Sequence, residues 1–163
     1  EVRFGHAVAL QGGRALVSTQ TQRTGVGSGQ YGEVWVYERS GTYEGEWQQV
    51  KKLTPAGYGV FGSAIALDGP RMAVGAPVYS GPVGAEDVVG VFGGIRPILT
   101  GTLVGPRSRG FFGAVLALEG DRVLVGAPSA DILGADSGAA YLFEFDGVAW
   151  SEPVEILQPD GNA

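Results

Sequence analysis

The stretch FGAVLAL at residues 112–118 leads, through a tight turn and a second apolar run, into Gly-Ala-Pro at residues 126–128. The same order occurs twice earlier in the chain, as FGSAIAL followed by Gly-Ala-Pro within residues 61–77 and as FGHAVAL followed by Ser-Thr-Gln within residues 4–20. The three copies lie about 50 residues apart, a spacing typical of repeat proteins. Because one short unit cannot bury its own apolar faces, the repetition predicts units that stack on their neighbours.

Each unit divides into four runs of strand length, and the turn between the first two runs is rich in glycine, which favours a tight hairpin. The predicted strands of the first unit are residues 7–10, 15–18, 33–37 and 47–53. Those of the second unit are residues 64–67, 72–75, 88–92 and 98–104. Those of the third unit are residues 115–118, 123–126, 139–143 and 150–157. Each second strand is expected to stop at the proline of Gly-Ala-Pro or at its counterpart Gln20, because proline cannot donate to a sheet ladder.

The first and second runs are apolar without alternation, which predicts strands covered on both faces, whereas the aromatic third runs fill wider space. Small inner strands and bulky outer strands describe a tapered wedge, and wedges around an axis make a β-propeller. A two-sheet sandwich is the alternative, but a sandwich has no reason to repeat at a fixed offset. We therefore predict an all-β fold of three four-stranded antiparallel blades. The repeats cover about residues 1–57, 58–108 and 109–160 of a single domain, 1–163.

Composition narrows the class of protein. Apolar residues make up 44% of the chain, which is ordinary for a chain that folds around a core, and there are no cysteines for disulfides. The net charge of -6 argues against binding to a phosphate backbone, so no nucleic-acid partner is expected. No apolar run is long enough to span a bilayer. A first residue of Glu rather than Met indicates a processed or excised chain.

The Phe-Gly opening, the apolar strand and the Gly-Ala-Pro resemble the FG-GAP repeats of integrin α-subunit propellers, of many bacterial extracellular proteins and of some lectins. The resemblance covers essentially the whole chain, although the first unit departs from it at residues 18–20. It implies a binding or adhesion module that uses loops on one propeller face, at an extracellular or cell-surface location in a bacterium. Many members hold calcium in a DxDxDG loop between the first and second strands. Only tight turns occupy that place here, so we expect no calcium and no other cofactor.

Three wedges do not close a ring, since closed propellers usually have four to eight blades. The first and last wedges are therefore expected to expose apolar faces, which are typical of interfaces. Two copies of the chain would give a six-bladed ring, in which each chain is half of the propeller. The competing interpretation is that the chain forms part of a longer propeller with further repeats.

Function usually lies on loops that a rigid scaffold holds in place. In this fold the second-to-third-strand loops and the crossings between blades emerge on one face. Tyrosine and arginine side chains there are suited to stacking on a sugar or anchoring a protein partner. The candidate ligand-binding residues on these loops are Tyr31, Tyr58, Tyr79, Arg23, Arg107 and Arg109.

The inventory for catalysis is poor. There is no cysteine nucleophile, no spacing typical of metal ligands, and a single histidine, His6, whose counterparts are Ser63 and Ala114. We therefore predict no catalytic residue and no metal site, and a non-enzymatic protein. A hydrolase or lyase is the third alternative, and it would require activity that is lost in His6→Ala without loss of folding. The two leading hypotheses are a recognition module for carbohydrate or protein and a structural module that assembles with itself or with further repeats.

Two sets of charged residues recur at fixed places. Arg14, Arg71 and Arg122 follow the first turn of each unit, and we expect them to pair with local carboxylates such as Asp68 and Glu119. The acidic residues of the loops are expected to be solvated or to cap backbone N–H groups rather than to bind metal. These loop residues are Glu86, Asp87, Asp131 and Asp136.

Overall fold

The computed structural model describes residues 2–21, 31–41, 45–53, 60–77, 86–105 and 110–159. Within those ranges the chain forms three four-stranded antiparallel sheets, each a meander in which consecutive strands are neighbours. The prediction of an all-β fold built from three four-stranded blades is confirmed. Over the same ranges no helix is long and apolar enough to cross a membrane.

The strands are numbered in chain order. Blade 1 contains β1 (Val2–Gln11), β2 (Arg14–Thr21), β3 (Tyr31–Arg39) and β4 (Trp47–Leu53). Blade 2 contains β5 (Ile65–Asp68), β6 (Arg71–Ala76), β7 (Val88–Gly93) and β8 (Ile98–Val104). Blade 3 contains β9 (Val115–Glu119), β10 (Arg122–Ala127), β11 (Ala139–Glu144) and β12 (Val154–Ile156).

The largest departures from the predicted strand bounds are at β1, β2 and β12. β1 begins at Val2, well before the predicted start. β2 runs through Gln20, which pairs with Arg3 on one side and Gly32 on the other, because glutamine keeps the N–H that proline lacks. β12 is shorter than predicted, and Trp150 instead forms an isolated bridge with Phe145.

The blades stack face to face, and two apolar layers fill the space between them. We call the side of a blade that faces the preceding blade its front, and the opposite side its back. The layer between blades 1 and 2 contains Leu16, Val34, Val36, Leu53, Phe61, Met72, Val74, Ala76 and Phe92. The layer between blades 2 and 3 contains Ala66, Ala73, Val89, Val91, Leu103, Phe112, Val123, Val125, Ala127, Ala130, Tyr141 and Phe143. Blade 2 is therefore covered on both faces, as a middle blade must be.

The first strands depart from the prediction that they are covered on both faces. β1 and β9 each turn one side to solvent, where Val8 and Val115 are largely exposed. The reason is positional: among the described residues, blade 1 has no blade before it and blade 3 has none after it. A continuous apolar run can therefore mark a face that needs a partner outside the chain as well as one inside it.

The glycines of the motif have two separate physical roles. Gly62 and Gly113 have φ of +85° and +90°, a backbone conformation that residues with a Cβ rarely adopt. Gly75 allows close approach, since a Cβ there would overlap the carbonyl oxygen of Gly113 in the next blade. The Phe-Gly and Gly-Ala halves of adjacent units thus meet at the contact between their blades.

Candidate functional site

The predicted ligand-binding residues lie almost entirely beyond what the structure describes. Tyr31 opens β3 and its backbone pairs with Thr21, but its side chain lies outside the description. The other candidates, Arg23, Tyr58, Tyr79, Arg107 and Arg109, lie outside the described residues. Their role in recognition stays a prediction.

The most prominent described feature is an apolar surface on the front of blade 1. Phe4 is 59% exposed, whereas its counterparts Phe61 and Phe112 are 4% and 1% exposed. The three residues occupy the same place in their units, so the difference comes from the presence or absence of a preceding blade. Phe4 thus occupies a core position without a core around it.

The neighbours of Phe4 extend this surface. Val8, Val17 and Trp35 are paired across β1, β2 and β3 and therefore lie on the same side of the sheet. Lys52 lies over the Trp35 ring, 5.2 Å from its centroid, and its Nζ is 2.6 Å from a Glu33 oxygen. A charged pair thus borders the apolar surface. We call this surface the front end face, and its members are Phe4, Val8, Leu10, Val17, Trp35 and Tyr37.

A second apolar surface lies on the back of blade 3. Leu124 is 39% exposed, whereas Leu16, at the equivalent place in blade 1, is 0% exposed against blade 2. Ile156 is also exposed, although its counterpart Leu53 is buried. Cross-strand pairing puts the remaining members on the same side of the sheet. We call this surface the back end face, and its members are Val115, Ala117, Leu124, Leu142, Val154 and Ile156.

A ladder of hydrogen bonds joins the first turns of consecutive blades, which connect β1 to β2, β5 to β6 and β9 to β10. The side chain of Gln11 accepts from the N–H of Gly69 through Oε1 and donates to Asp68 through Nε2 at 2.8 Å. Asp68 Oδ2 in turn accepts from the N–H of Gly120 at 2.6 Å. The Gly120 N–H, and then the Gln11 amide, hold the pKa of Asp68 below its usual range because both stabilise the carboxylate. In blades 1 and 2, the last residue before the first turn therefore reaches the glycine of the following blade's turn.

The recurring arginines follow the same direction. Arg71 Nη1 donates to the Gly120 carbonyl at 3.0 Å and pairs with Asp121, both in the next blade. Arg122 pairs with Glu119 of its own turn at 2.8 Å, so the predicted pairing with Glu119 is confirmed. The predicted pairing of a turn arginine with Asp68 is wrong, because the Asp68 carboxylate accepts from Gln11 and Gly120 instead.

Arg14 pairs with Glu38 on β3 of its own blade. Its Nη2 also donates to the Ile95 carbonyl of blade 2 at 3.4 Å. All three turn arginines thus pair with nearby carboxylates, as the sequence analysis predicts. In two of the three units they also reach toward the following blade.

One loop on the opposite edge, at residues 129–138, is described and is organised from within. Ser137 Oγ accepts from the N–H groups of Ile132 and Leu133 at 3.2 and 3.0 Å and donates to the Ala130 carbonyl. Asp131 Oδ1 accepts from the N–H of Asp136 at 2.7 Å, so the capping role predicted for a loop carboxylate is confirmed at Asp131. The conformation of this loop is therefore fixed by hydrogen bonds among its own residues.

At Asp87 the structure confirms the capping alternative rather than the solvated one. Asp87 is buried at the start of β7, and its Oδ2 accepts from the N–H of Phe112 at 3.1 Å. Asp87 therefore caps a backbone group of the next blade from inside the protein.

Among the described residues, no group of three or more His, Cys, Asp or Glu residues is placed to hold a metal ion. His6 is exposed on β1.

Stacked four-stranded antiparallel sheets whose first strands lie side by side define a protein of the β-propeller type. Residues 106–143 match the family model of the FG-GAP repeat, a segment that leads into blade 3 and ends within β11. The chain thus carries an FG-GAP repeat, as its resemblance implied, and repeats of this family form β-propellers. The family is typically non-catalytic and extracellular. No curated protein matches the chain.

Proposed function

We propose that this chain is a non-enzymatic propeller module that completes a ring by stacking its two end faces against further blades. The observation that supports the proposal is the exposure of Phe4, whose counterparts Phe61 and Phe112 are core residues. The back end face repeats the pattern at Leu124. A surface that has the composition of a blade contact, at both ends of a stack of blades, is suited to making one more contact at each end.

The energetics favour covering both faces. Burying one Phe, Leu or Val side chain fully contributes about 1.5–3 kcal/mol, and each end face contains several such side chains. Contiguous apolar patches of this kind are rare on the surfaces of monomeric proteins and mark interaction sites. The hydrophobic gain opposes the entropy lost on association, which is the main cost of assembly.

Radical footprinting read by mass spectrometry tests whether the end faces are covered in the native protein. The expected result is that Phe4 is as protected as Phe61 and Phe112, the internal standards for a buried position. Val148, which is 89% exposed in the turn between Phe145 and Trp150, is the standard for full reactivity. If Phe4 and Leu124 react at the rate set by their exposure in the isolated chain, the end faces are not covered. The proposal is then wrong for any partner.

We further propose that one edge of the assembled ring, the edge with the loops between second and third strands, recognises a carbohydrate or a protein partner. This role would be extracellular, integrin-like adhesion. The internal hydrogen bonding of residues 129–138 favours this function, because a preorganised loop loses little entropy when it binds. The tyrosine and arginine candidates predicted from the sequence are of the residue types suited to such contacts.

Glycan-array and pull-down binding by the native protein tests the recognition role. Tyr58→Ala, Tyr79→Ala and Arg107→Ala are expected to reduce binding at least about tenfold if these side chains anchor the ligand. Arg96→Ala is the matched control, since Arg96 is exposed in the connection between β7 and β8, on the opposite edge of the blades. Equal loss in the control and the loop variants, or no binding at all, would contradict the role.

A further inference from the structure

We propose that the partner of both end faces is a second copy of this chain, which closes a six-bladed ring about a twofold axis. This inference rests on the proposed function, since it names what covers the faces. In the ring, the back of blade 3 in each copy packs on the front of blade 1 in the other. Each copy therefore supplies both halves of the missing contact.

The hydrogen-bond ladder supports a head-to-tail contact. Its acceptors are the residues before each first turn, and its donors are the glycine N–H groups of the following turn. Gln11 with Gly69 is the first rung and Asp68 with Gly120 is the second. The same offset makes Glu119 the next acceptor and Gly12 the first donor. Within one chain these two groups stand at opposite ends of the stack, but in a two-copy ring they meet.

The arginine on the same turn supplies an independent second contact. Arg71 reaches from blade 2 to the carbonyl of Gly120 in blade 3. Arg122 is its equivalent in blade 3, and the carbonyl of Gly12 is the equivalent acceptor in blade 1. Arg122 is exposed, and its ion pair among the described residues is with Glu119 of its own turn. Closure would bring both charged side chains of this turn against the first turn of the second copy.

The motif glycines show the same open places. A Cβ at Gly62 would meet Ser18, and a Cβ at Gly113 would meet Gly75, so each Phe-Gly glycine lies against the preceding blade. A Cβ at Gly5 would meet nothing within 4 Å. The counterpart of Ser18 and Gly75 in blade 3 is Gly126, where a Cβ would meet only Val115 of the same blade. Among these motif positions, Gly5 and Gly126 are thus the two at which a Cβ would meet no atom of another blade.

The number of blades in a ring limits the number of copies. Closed propellers usually have four to eight blades, and for a chain that supplies the three described blades, six is the only multiple of three in that range. A ring of two copies makes two blade-to-blade contacts, so both apolar surfaces of each chain are covered at once. A symmetric pairing of two front end faces would instead bury Phe4 against its own copy and leave the back end face open. The complementary turn groups favour the head-to-tail arrangement.

Light scattering on the 163-residue chain measures the association. The expected native mass is twice the 16.8 kDa of one chain. Val8→Glu on the front end face and Leu124→Lys on the back end face are each expected to weaken the dimer on the order of 100-fold, because an unpaired charge would be buried in every contact. Both side chains are exposed in the single chain, so the fold of each variant should persist, which circular dichroism checks. Val148→Glu is the matched control and should leave the dimer intact.

A mixture of the two variants makes the decisive measurement. In a mixed head-to-tail dimer, one contact has both native side chains and the other brings the two opposite introduced charges together. Equimolar mixing is therefore expected to restore the dimer that neither variant forms alone. If Leu124→Lys does not fold, Glu119→Lys replaces it: loss of the acceptor for the Gly12 N–H is expected to weaken the dimer, and mixing with Val8→Glu, which leaves one contact fully native, is expected to strengthen it.

The possible outcomes separate the inference from the proposed function. A chain that is monomeric at every concentration overturns the second copy as partner. If footprinting of the native protein then still finds Phe4 protected, other blades cover the faces and the proposed function stands; if Phe4 reacts, both fail. Loss of the dimer in Val8→Glu alone, with Leu124→Lys unaffected, overturns the head-to-tail ring. A dimer that dissociates in both variants and re-forms on mixing supports it.

Discussion

The carboxylate of Asp87 accepts a hydrogen bond from the backbone N–H of Phe112 at 3.1 Å, in the buried junction between blades 2 and 3. The bond holds the Phe-Gly motif of one blade against the first residue before β7 of the preceding blade. The equivalent place in blade 1 is Gly32, where a Cβ would overlap the carbonyl oxygen of Phe61. The two junctions of the chain are thus built differently at the same position.

Asp87→Ala is expected to destabilise the protein by about 1–3 kcal/mol, because the Phe112 N–H would stay buried without this acceptor. Urea unfolding followed by circular dichroism measures the change. Glu86→Ala is the matched control, since Glu86 is the exposed neighbour in sequence. Similar unfolding midpoints for the two variants would show that the Asp87 bond contributes little.

Truncation of the motif phenylalanines is expected to give unequal effects. Phe112→Ala removes a ring that packs on Tyr141 and Phe143, with centroids 5.7 and 5.9 Å away, and should cost about 3–5 kcal/mol. Phe4→Ala should cost about 0.5 kcal/mol or less in a single chain, because the ring is mostly exposed. Unfolding at a concentration where the chain is monomeric provides the comparison. A large loss in Phe4→Ala under that condition would mean that Phe4 is already buried.

The sequence predicts the blades well because the information is local and repeated. Short apolar runs, glycine turns and a fixed offset specify each hairpin, and β4 and β8 end where the sequence places them. It also predicts open end faces, since three wedges cannot close. The boundary errors at β1 and β12 arise where pairing with a neighbouring strand, rather than the residue pattern, decides the length of the strand.

The hydrogen bonds between the turns of neighbouring blades could not be predicted from the sequence. Gln11 and Asp68 are unlike residues, and only their shared position before a glycine turn links them. The pairing of Arg71 depends on which side chains of the next blade lie within reach. The sequence of a single repeat does not give the distance between stacked blades. Alignment of the three turns could have drawn attention to the set, because each places a polar acceptor before Gly12, Gly69 or Gly120.

Gly75→Ala is expected to be strongly destabilising, because its Cβ would overlap the carbonyl oxygen of Gly113 and force blades 2 and 3 apart. Overpacking of this kind typically costs about 1–3 kcal/mol, and backbone atoms yield less readily than side chains. Gly13→Ala is the matched control, since a Cβ at Gly13 would meet nothing within 4 Å. Thermal unfolding distinguishes the two variants, and equal midpoints would contradict the close approach of the blades.

The ladder between turns should make stability depend on pH through Asp68. Its pKa is lowered in the folded protein, chiefly by the Gly120 N–H and then by Gln11. Stabilisation by the carboxylate is therefore fully present above the unfolded pKa, about 3.9, and is lost as the pH falls through the lower folded pKa. Asp68→Asn removes the charge at every pH, so its unfolding temperature should lie below that of the native protein at pH 7, and the difference should shrink toward pH 3. Thermal unfolding at both pH values measures the two differences, and a difference that is unchanged or larger at pH 3 would contradict this role of Asp68.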